Sequence, residues 1–296
     1  VDVLVDLGGF TRGARPETLA ARAAPLQVGW LGYCGSSGGL NDVLLVDETV
    51  LPSSQAGSIR EAVAYLPGTF MPLNNFGVPA PDLKSRVEHG LPAEGMVFCA
   101  FNTPTKIDPI TFGCWMEILK QVEGSILWLR EHIAVTTRNL KTVAQLSGVD
   151  PVRLIFAPTV PSMADHLARH CHGDLFLDTF VYGAHSTAAD AIAMGVPVLT
   201  MAGPAMPSRV GASLCRAYGL SELVVDSADG YLRKAVELAA DSAGLRELSN
   251  QLNTALEGSR DSGVFVGKLE TAYQDLWAAQ IAGTLAPGVV HRTDGR

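Results

Sequence analysis

The chain has 296 residues, 47% of them hydrophobic, and a formal net charge of −8. Its length is that of about two domains with substantial cores. The acidic balance and the lack of a Lys/Arg run argue against a nucleic-acid partner. No apolar run reaches the roughly 18 residues that a membrane span requires. The cysteines form no Cys-x-x-Cys pair, which predicts a reduced, cytoplasmic protein without a disulfide or zinc framework.

The first residues already have the pattern of a buried strand. Val1-Asp-Val-Leu-Val-Asp-Leu7 has no initiator Met before it, and a domain rarely opens on an inner strand. We therefore expect the chain to be the C-terminal portion of a longer protein. Part of its first domain would then lie upstream.

Strand and helix patterns alternate along the chain. In the first part, a helix is predicted at 18–23 and strands at 3–7, 27–33, 42–46 and 62–66. Residues 67–93 are rich in Pro, Gly and Asn, which is typical of an interdomain link.

Predicted strands and helices alternate regularly in the second part. Its predicted strands lie at 96–101, 125–129, 153–157, 175–177, 196–201 and 222–225. Its predicted helices lie at 111–121, 140–147, 163–170, from the His185 loop to 194, and at 209–218, 231–240, 245–257 and 266–282. This alternation predicts an α/β fold with a doubly wound parallel sheet, whose ligands bind beyond the carboxyl ends of the strands.

The most informative segment is residues 178–190, Asp-Thr-Phe-Val-Tyr-Gly-Ala-His-Ser-Thr-Ala-Ala-Asp, which joins a strand to a helix. It places His185, Ser186 and Thr187 at the helix start, where free N–H groups and positive partial charge suit a diphosphate. Asp190, one turn further on, can accept a hydrogen bond from a ribose hydroxyl. The segment indicates a sugar-nucleotide site, although an ordinary N-cap also explains Ser186 or Thr187.

Other loops follow neighbouring strands. Lys106 is either a group that neutralises a leaving diphosphate or a solvated surface lysine. Backbone groups near Val160 can pair with a base edge, and His166 can stack on the base or face solvent. Arg209 can serve phosphate or hold its own loop. In the first part, Gly35-Ser-Ser-Gly-Gly39 is a weak phosphate nest or an ordinary turn. We find no metal ligand set, catalytic-triad order or paired-carboxylate signature.

Several segments together resemble a known family. They occur in family order over roughly residues 2–280 and are Asp6-Leu-Gly-Gly-Phe-Thr-Arg-Gly-Ala-Arg15, Ala24-Pro-Leu-Gln-Val-Gly-Trp-Leu-Gly-Tyr33, Phe101-Asn with Lys106-Ile-Asp-Pro109, Ser125-Ile-Leu-Trp-Leu129, the 178–190 segment and Gly195-Val-Pro-Val-Leu-Thr-Met-Ala-Gly203. The chain resembles the catalytic region of the nucleocytoplasmic protein O-GlcNAc transferases, glycosyltransferase family 41. The resemblance implies the GT-B fold of two Rossmann-like domains, the first only partly present. It also implies inverting, metal-independent transfer of GlcNAc from UDP-GlcNAc to Ser or Thr of proteins, without a cofactor.

The resemblance implies roles for individual residues. Lys106 matches the lysine that stabilises the departing UDP phosphates. The implied diphosphate and ribose set comprises Thr103, His185, Ser186, Thr187 and Asp190. The implied uracil set comprises Val160 and His166, and the loop beside the sugar and the acceptor comprises Gly35, Ser36, Ser37 and Gly38.

The resemblance also implies a division of the chain. Residues 1–80 would be the C-terminal part of the first domain, 81–93 a linker, 94–264 the nucleotide-sugar domain, and 265–282 a helix returning to the first domain. The composition of residues 283–296, which contain Gly, Pro and Arg, separately predicts a disordered tail. Tetratricopeptide repeats that collect protein acceptors, and a further histidine of the first domain, are expected upstream.

Some residues depart from the family pattern. Thr103 stands where animal enzymes have a phosphate-binding glutamine, and Asp2 where they have a histidine near the sugar. Phe10 replaces a frequent Tyr or His, and Cys34 replaces a usual proline. Two alternatives stay open: GDP-fucose-dependent protein O-fucosylation, as in the Spindly-like branch, and a non-catalytic sugar-nucleotide-binding scaffold. His185 together with Asp190 favours UDP. The sequence does not identify the catalytic base, the acceptor proteins or the oligomeric state.

Overall fold

The computed structural model describes residues 1–73, 84–259 and 262–293. The chain forms two compact units, one of residues 1–72 with 261–296 and one of residues 73–260. Residues 81–83 of the predicted linker and 294–296 of the predicted tail lie outside the described residues. Within the described residues, no helix combines the length and the apolar character that a membrane crossing needs.

The strands, in chain order, are β1 (Val3–Asp6), β2 (Leu26–Trp30), β3 (Val43–Val46), β4 (Ala62–Tyr65), β5 (Val97–Ala100), β6 (Ile126–Arg130), β7 (Leu154–Ala157), β8 (Leu175–Leu177), β9 (Val198–Met201), β10 (Val224–Val225) and β11 (Val290–Arg292). The α-helices are α1 (Pro16–Ala20), α2 (Pro109–Gln121), α3 (Ala134–Leu146), α4 (Met163–Ala168), α5 (Ser186–Ala193), α6 (Val210–Ala217), α7 (Ala228–Ala240), α8 (Ser242–Ser259) and α9 (Ser262–Ala282).

The sheet of the first unit is entirely parallel in the order β1-β2-β3-β4-β11. The prediction of a disordered tail is therefore wrong at β11, which pairs with β4. The Thr293 hydroxyl donates to the Tyr65 carbonyl at 2.7 Å, and Arg292 pairs with Glu48 at 3.1 Å. These contacts hold a short polar segment in a strand, although its sequence pattern does not predict one.

Helix α9 belongs to the first unit and packs on it by its own contacts. The Phe265 ring stacks on Trp30 with centroids 6.2 Å apart. The Gln280 amide donates to the Pro25 carbonyl at 3.0 Å, and Ala272 and Leu276 are completely buried. The helix thus contributes core to a sheet whose first four strands lie roughly 200 residues or more earlier in the chain.

The sheet of the second unit is also entirely parallel, in the order β10-β9-β8-β5-β6-β7. The predicted parallel α/β fold is confirmed, and its buried strands read as continuous apolar runs, as parallel strands do. The chain runs outward from β5 to β7 and then returns to start again at β8. The strand order therefore reverses between β5 and β8, and in doubly wound sheets this switch point is where ligands bind.

The described part of the predicted linker packs on the second unit. Arg86 donates to Asp174 at 2.7 Å and to the Gly95 carbonyl at 3.0 Å. The His89 ring lies 5.6 Å from Trp128, and Leu91 is buried. Residues 84–93 therefore form part of this unit's surface layer.

Candidate functional site

The sheet edge at the switch point carries Lys106. Asp108 caps the N-terminus of α2 by accepting hydrogen bonds from the amides of Ile110 and Thr111, so the lysine is held just before a fixed helix start. Its Nζ donates to the Gly183 carbonyl at 2.7 Å and lies 4.4 Å from the Tyr182 ring centroid. Burial lowers the pKa of Lys106, and the nearby Asp178 carboxylate opposes that shift.

Helix α5 begins directly beside this lysine. His185 is its N-cap residue, and Ser186 and Thr187 form the first turn. The amides of such a first turn have no preceding turn to bond to, and they carry the positive end of the helix dipole. A cation and a helix N-terminus therefore converge, which is an arrangement suited to a diphosphate.

The His185 ring is anchored by the loop before α6. Its Nε2 lies 3.0 Å from the Pro207 carbonyl, which can only accept, so Nε2 carries the proton. The same carbonyl accepts from the Gly183 amide at 2.9 Å. Burial and the charge of Lys106 lower the pKa of His185 to about 4. The imidazole is therefore neutral near pH 7 and is a weak base.

A chain of hydrogen bonds crosses the switch point. The Thr187 hydroxyl donates to the side-chain oxygen of Asn102 at 2.5 Å, and the Asn102 amide donates to the Thr179 hydroxyl at 3.1 Å. Thr179 in turn donates to the Tyr182 carbonyl at 2.7 Å. Because the hydroxyl hydrogen of Thr187 is used in this chain, the residue offers an anion its backbone amide rather than its side chain.

Asp178 lies beneath the loop that carries His185 and is completely buried. It accepts from the amides of Thr179 at 2.7 Å and Ala184 at 2.5 Å, and from the Thr200 hydroxyl at 2.8 Å. Burial raises its pKa to about 6, and these hydrogen bonds and Lys106 act against that rise. The carboxylate fixes both ends of the 179–184 loop and supplies a counter-charge to the lysine.

Asp190 lies one turn into α5, and His166 of α4 lies beside it. His166 Nε2 is 3.8 Å from an Asp190 carboxylate oxygen, and Arg169 donates to His166 Nδ1 at 2.5 Å and to the Pro158 carbonyl at 2.7 Å. Burial lowers the pKa of His166 to about 4 and raises that of Asp190 to about 6. Because guanidinium only donates, His166 is held with its proton on Nε2, on the side of Asp190.

Two predicted residues lie on the loops that frame this area. Val160 follows β7 in an irregular segment and is half-buried. Thr103 follows β5, and its carbonyl accepts from the Lys106 amide at 2.9 Å. The structure therefore brings the predicted residues of the second unit to the carboxyl-end edge of one sheet.

The glycine loop after β2 is organised around an internal carboxylate. Glu61, only 1% exposed, accepts from the Ser36 hydroxyl at 2.7 Å, from the Ser37 amide and hydroxyl at 2.6 Å each, and from the Gly39 amide at 3.2 Å. The Gly38 amide donates to the Ser36 hydroxyl at 3.0 Å. The amides of Ser37 and Gly39 already serve this anion, which argues against the phosphate-nest interpretation of residues 35–39.

Arg209 is similarly committed to its own loop. Its guanidinium donates to the carbonyls of Pro204 at 2.5 Å and Ala205 at 3.3 Å, so the loop-holding interpretation describes it. Among the described residues, no group of three His, Cys, Asp or Glu side chains has the geometry of a metal site.

Sequence reasoning did not single out Asn102, Arg169, Asp178 or Glu61. Each acts through partners that are distant in sequence or through backbone groups. The available signals were weak: a polar residue directly after a buried strand for Asn102 and Asp178, and a three-residue spacing from His166 for Arg169.

Comparison with known proteins identifies the family. The sequence model described as "Glycosyl transferase family 41" matches residues 1–74 and 79–268. The chain belongs to glycosyltransferase family 41. This family 41 chain is 34% identical over 292 residues to the Arabidopsis thaliana "Probable UDP-N-acetylglucosamine--peptide N-acetylglucosaminyltransferase SEC", covering 96% of the chain and 30% of that protein. It is 32% identical over 285 residues to the rice protein of the same printed activity called SPINDLY, covering 94% of the chain and 30% of that protein.

Solved structures agree with the family assignment. A lysine-to-methionine mutant of the Thermobaculum terrenum O-GlcNAc transferase aligns with a TM-score of 0.85 at 32% identity, covering 95% of this family 41 chain and 54% of that one. A sucrose-phosphate synthase from Thermosynechococcus elongatus aligns with a TM-score of 0.62 at 15% identity, which is a likeness of fold alone; it covers 93% of this chain and 82% of that one. These neighbours are GT-B glycosyltransferases, so the predicted fold class is confirmed. The chain spans less than a third of the length of the curated relatives it matches.

Proposed function

We propose that the protein containing this chain transfers GlcNAc from UDP-GlcNAc to Ser or Thr hydroxyls of proteins, with inversion at the anomeric carbon. The observation that carries the proposal is the convergence of the Lys106 ammonium and the N-terminus of α5 at the switch point. The curated relatives, whose printed names include UDP-N-acetylglucosamine and a peptide acceptor, support the same donor and acceptor.

The proposed chemistry is a displacement at the anomeric carbon. The acceptor oxygen forms a bond to that carbon, and the bond to the β-phosphate oxygen breaks with its electron pair. The acceptor proton passes to a general base as the new bond forms. Negative charge therefore grows on the departing UDP, and fixed positive groups lower the barrier most when they meet charge that develops in the transition state.

Lys106 is the group we assign to this charge. The amides of Ser186 and Thr187 add the positive end of the α5 dipole. Thr103 and His185 would border the same diphosphate. A lysine and a helix N-terminus can stand in for a divalent cation, so we propose that the transfer needs neither metal nor cofactor. His185 is a poor candidate for the general base because its pKa is lowered to about 4.

The nucleoside is assigned to the other end of the site. Asp190 would accept from a ribose hydroxyl, the His166 ring would stack on uracil, and the backbone at Val160 would pair with the base edge. Arg169 supports this assignment because it ties His166 to the Pro158 carbonyl, two residues before Val160. We also propose that the loop beside the sugar and the acceptor comprises Gly35, Ser36, Ser37 and Gly38. Glu61 holds this loop by hydrogen bonds.

Two further properties belong to the whole protein. We propose tetratricopeptide repeats upstream of this chain as the part that collects protein acceptors. We also propose a cytoplasmic location, which the absence of disulfides among the cysteines of the described residues supports, because thiols persist in reducing compartments.

The test is calorimetric titration of the full-length protein with UDP, UDP-GlcNAc, GDP and GDP-fucose, followed by a peptide-transfer assay with and without EDTA. We expect micromolar UDP binding and EDTA-resistant GlcNAc transfer. Lys106→Ala should lower turnover by orders of magnitude, whereas Lys120→Ala, an exposed lysine paired with Glu117, should not. Preference for GDP would move the assignment to fucose transfer, and binding of UDP-GlcNAc without transfer would favour a scaffold. No binding of any of the four would contradict the sugar-nucleotide site.

A further inference from the structure

The Tyr182 ring lies between Lys106 and His185. The Lys106 ammonium is 4.4 Å from its centroid. The His185 ring stacks on Tyr182 with centroids 4.8 Å apart and an interplanar angle of 26°. His185 is in turn anchored to the Pro207 carbonyl at 3.0 Å. The cation, the phenol ring, the imidazole and the carbonyl are therefore linked in series.

This linkage matters because Lys106 is partly buried, and burial lowers its pKa. A desolvated ammonium is costly unless protein groups replace its hydration. The Gly183 carbonyl replaces one water at 2.7 Å, and the negative face of an aromatic ring is attractive to a cation at this range. Both groups come from adjacent residues of one loop, so the position of the ammonium depends on the conformation of that loop.

The other charged and titratable neighbours act in definite directions. Asp178 lies behind the loop and favours the charged lysine. His185 is neutral near pH 7, and a neutral imidazole can stack on the phenol without adding a second cation beside Lys106. The phenol face and the Gly183 carbonyl are thus the neighbours that fix where the ammonium lies without neutralising its charge.

We propose that Tyr182 is a positioning residue that holds the Lys106 ammonium by its ring face, in register with the N-terminus of α5. This role rests on the proposed glycosyl transfer, because it is the developing charge on UDP that the held ammonium would meet. A carboxylate in that position would cancel the positive charge, whereas a ring retains it. The ring itself, not the phenol hydroxyl, carries the effect.

The first test compares Tyr182→Leu with Tyr182→Phe in the full-length protein. Tyr182→Leu should lower kcat by ~3- to 30-fold, the range of a partly desolvated cation–π contact, with a smaller change in KM for UDP-GlcNAc. Tyr182→Phe keeps the ring and should restore kcat to near the wild-type value. An equal loss in both variants would assign the effect to the hydroxyl and overturn the proposal, as would no loss in Tyr182→Leu.

A second test does not depend on catalysis. Reductive methylation with 13C-formaldehyde labels the lysines of the full-length protein, which in this chain are residues 84, 106, 120, 141, 234 and 268. The NMR signal that is missing in Lys106→Arg is that of Lys106. Its N-methyl resonance should be shifted upfield by the ring, should remain so in Tyr182→Phe, and should return to the ordinary position in Tyr182→Leu. An unshifted signal in the wild type would overturn the contact. A shifted signal in a protein that binds no UDP would keep the contact and contradict the proposed function instead.

Discussion

Thr187 donates its hydroxyl hydrogen to Asn102 at 2.5 Å, and this bond joins helix α5 to the loop after β5 across the switch point. Asn102 is 1% exposed and also donates to Thr179. Asn102→Ala removes both bonds, so the Thr187 hydroxyl loses its acceptor, while the Thr179 hydroxyl keeps its bond to the Tyr182 carbonyl. We expect the free energy of unfolding to fall by about 1–3 kcal/mol, the cost of one unsatisfied buried polar group. Urea unfolding of wild type and Asn102→Ala measures this change in the free energy of unfolding.

The control for this change is Thr142→Ala. The Thr142 hydroxyl donates to the Arg138 carbonyl on the exposed face of α3, where water can replace it. Its loss should change the free energy of unfolding by less than about 0.5 kcal/mol. Equal effects of the two substitutions would contradict the role given to Asn102.

Glu61 yields a prediction with a defined pH dependence. Burial acts to raise its pKa, but hydrogen bonds from Ser37, Ser36 and Gly39 outweigh burial, so the pKa of Glu61 is lowered. A carboxylate with a lowered folded-state pKa adds stability above its unfolded-state pKa and loses it as the pH falls through the folded-state value. Glu61→Gln should therefore destabilise the protein by about 1–3 kcal/mol at pH 7.

The difference between wild type and Glu61→Gln should begin to shrink as the pH falls below the ordinary glutamate pKa of about 4.3, because the unfolded carboxyl then takes up a proton before the folded one, whose pKa is lowered. Unfolding by urea at several pH values measures this difference. A gap that does not narrow at all as the pH falls below the ordinary glutamate pKa would mean that the charge of Glu61 does not hold the glycine loop.

These two residues also show what sequence reasoning can and cannot reach. The local composition of the 178–190 segment predicts its strand end, loop and helix start. Its place at the carboxyl-end edge of the sheet could therefore be predicted. Asn102 meets Thr179 across 77 residues, and that contact exists only because β5 and β8 are neighbours in the sheet. Glu61 reaches its loop across 22 to 25 residues, and nothing local to position 61 indicates a buried anion.

The predicted limits of two elements differ from the structure for a related reason. The sequence pattern predicts a helix at 140–147, whereas α3 begins at Ala134. The pattern misses the first turns of α3 because their β-branched residues have low helix propensity. Strand β11 has three residues with a polar pair, His291 and Arg292, and only its pairing with β4 makes it a strand. Tertiary contacts decide both elements.

Asp190 gives a prediction about ligand affinity and pH. Burial raises its pKa to about 6, so its carboxylate is protonated as the pH falls below that value and becomes a weaker acceptor for a ribose hydroxyl. The Kd of UDP-GlcNAc should rise by about 3- to 10-fold between pH 7 and pH 5, in line with the loss of a charged hydrogen bond. Asp190→Asn should bind weakly at both values.

Calorimetry on wild type and Asp190→Asn at matched pH values separates this carboxyl from Asp178, whose pKa is also about 6 but which both proteins retain. The sugar nucleotide is the correct probe because its phosphates do not change charge in this range. A variant that keeps the full pH dependence would shift the effect to Asp178 and away from ribose recognition.

Gly211 in helix α6 tests how tightly Asp178 is held. A Cβ at this position would lie 2.5 Å from Asp178 Oδ2 and 2.9 Å from Thr200 Oγ1, and both side chains are completely buried and bonded to each other. Gly211→Ala should therefore lower the free energy of unfolding by about 1–3 kcal/mol, as overpacking of a core does. It should also weaken UDP-GlcNAc binding by moving the loop that Asp178 fixes.

Gly113→Ala in α2 is the matched control, since a Cβ there meets nothing within 4 Å. That change should stabilise by about 0.5–1 kcal/mol through helix propensity alone. If both alanines stabilised the protein and left binding unchanged, Asp178 would not be the rigid support of the loop.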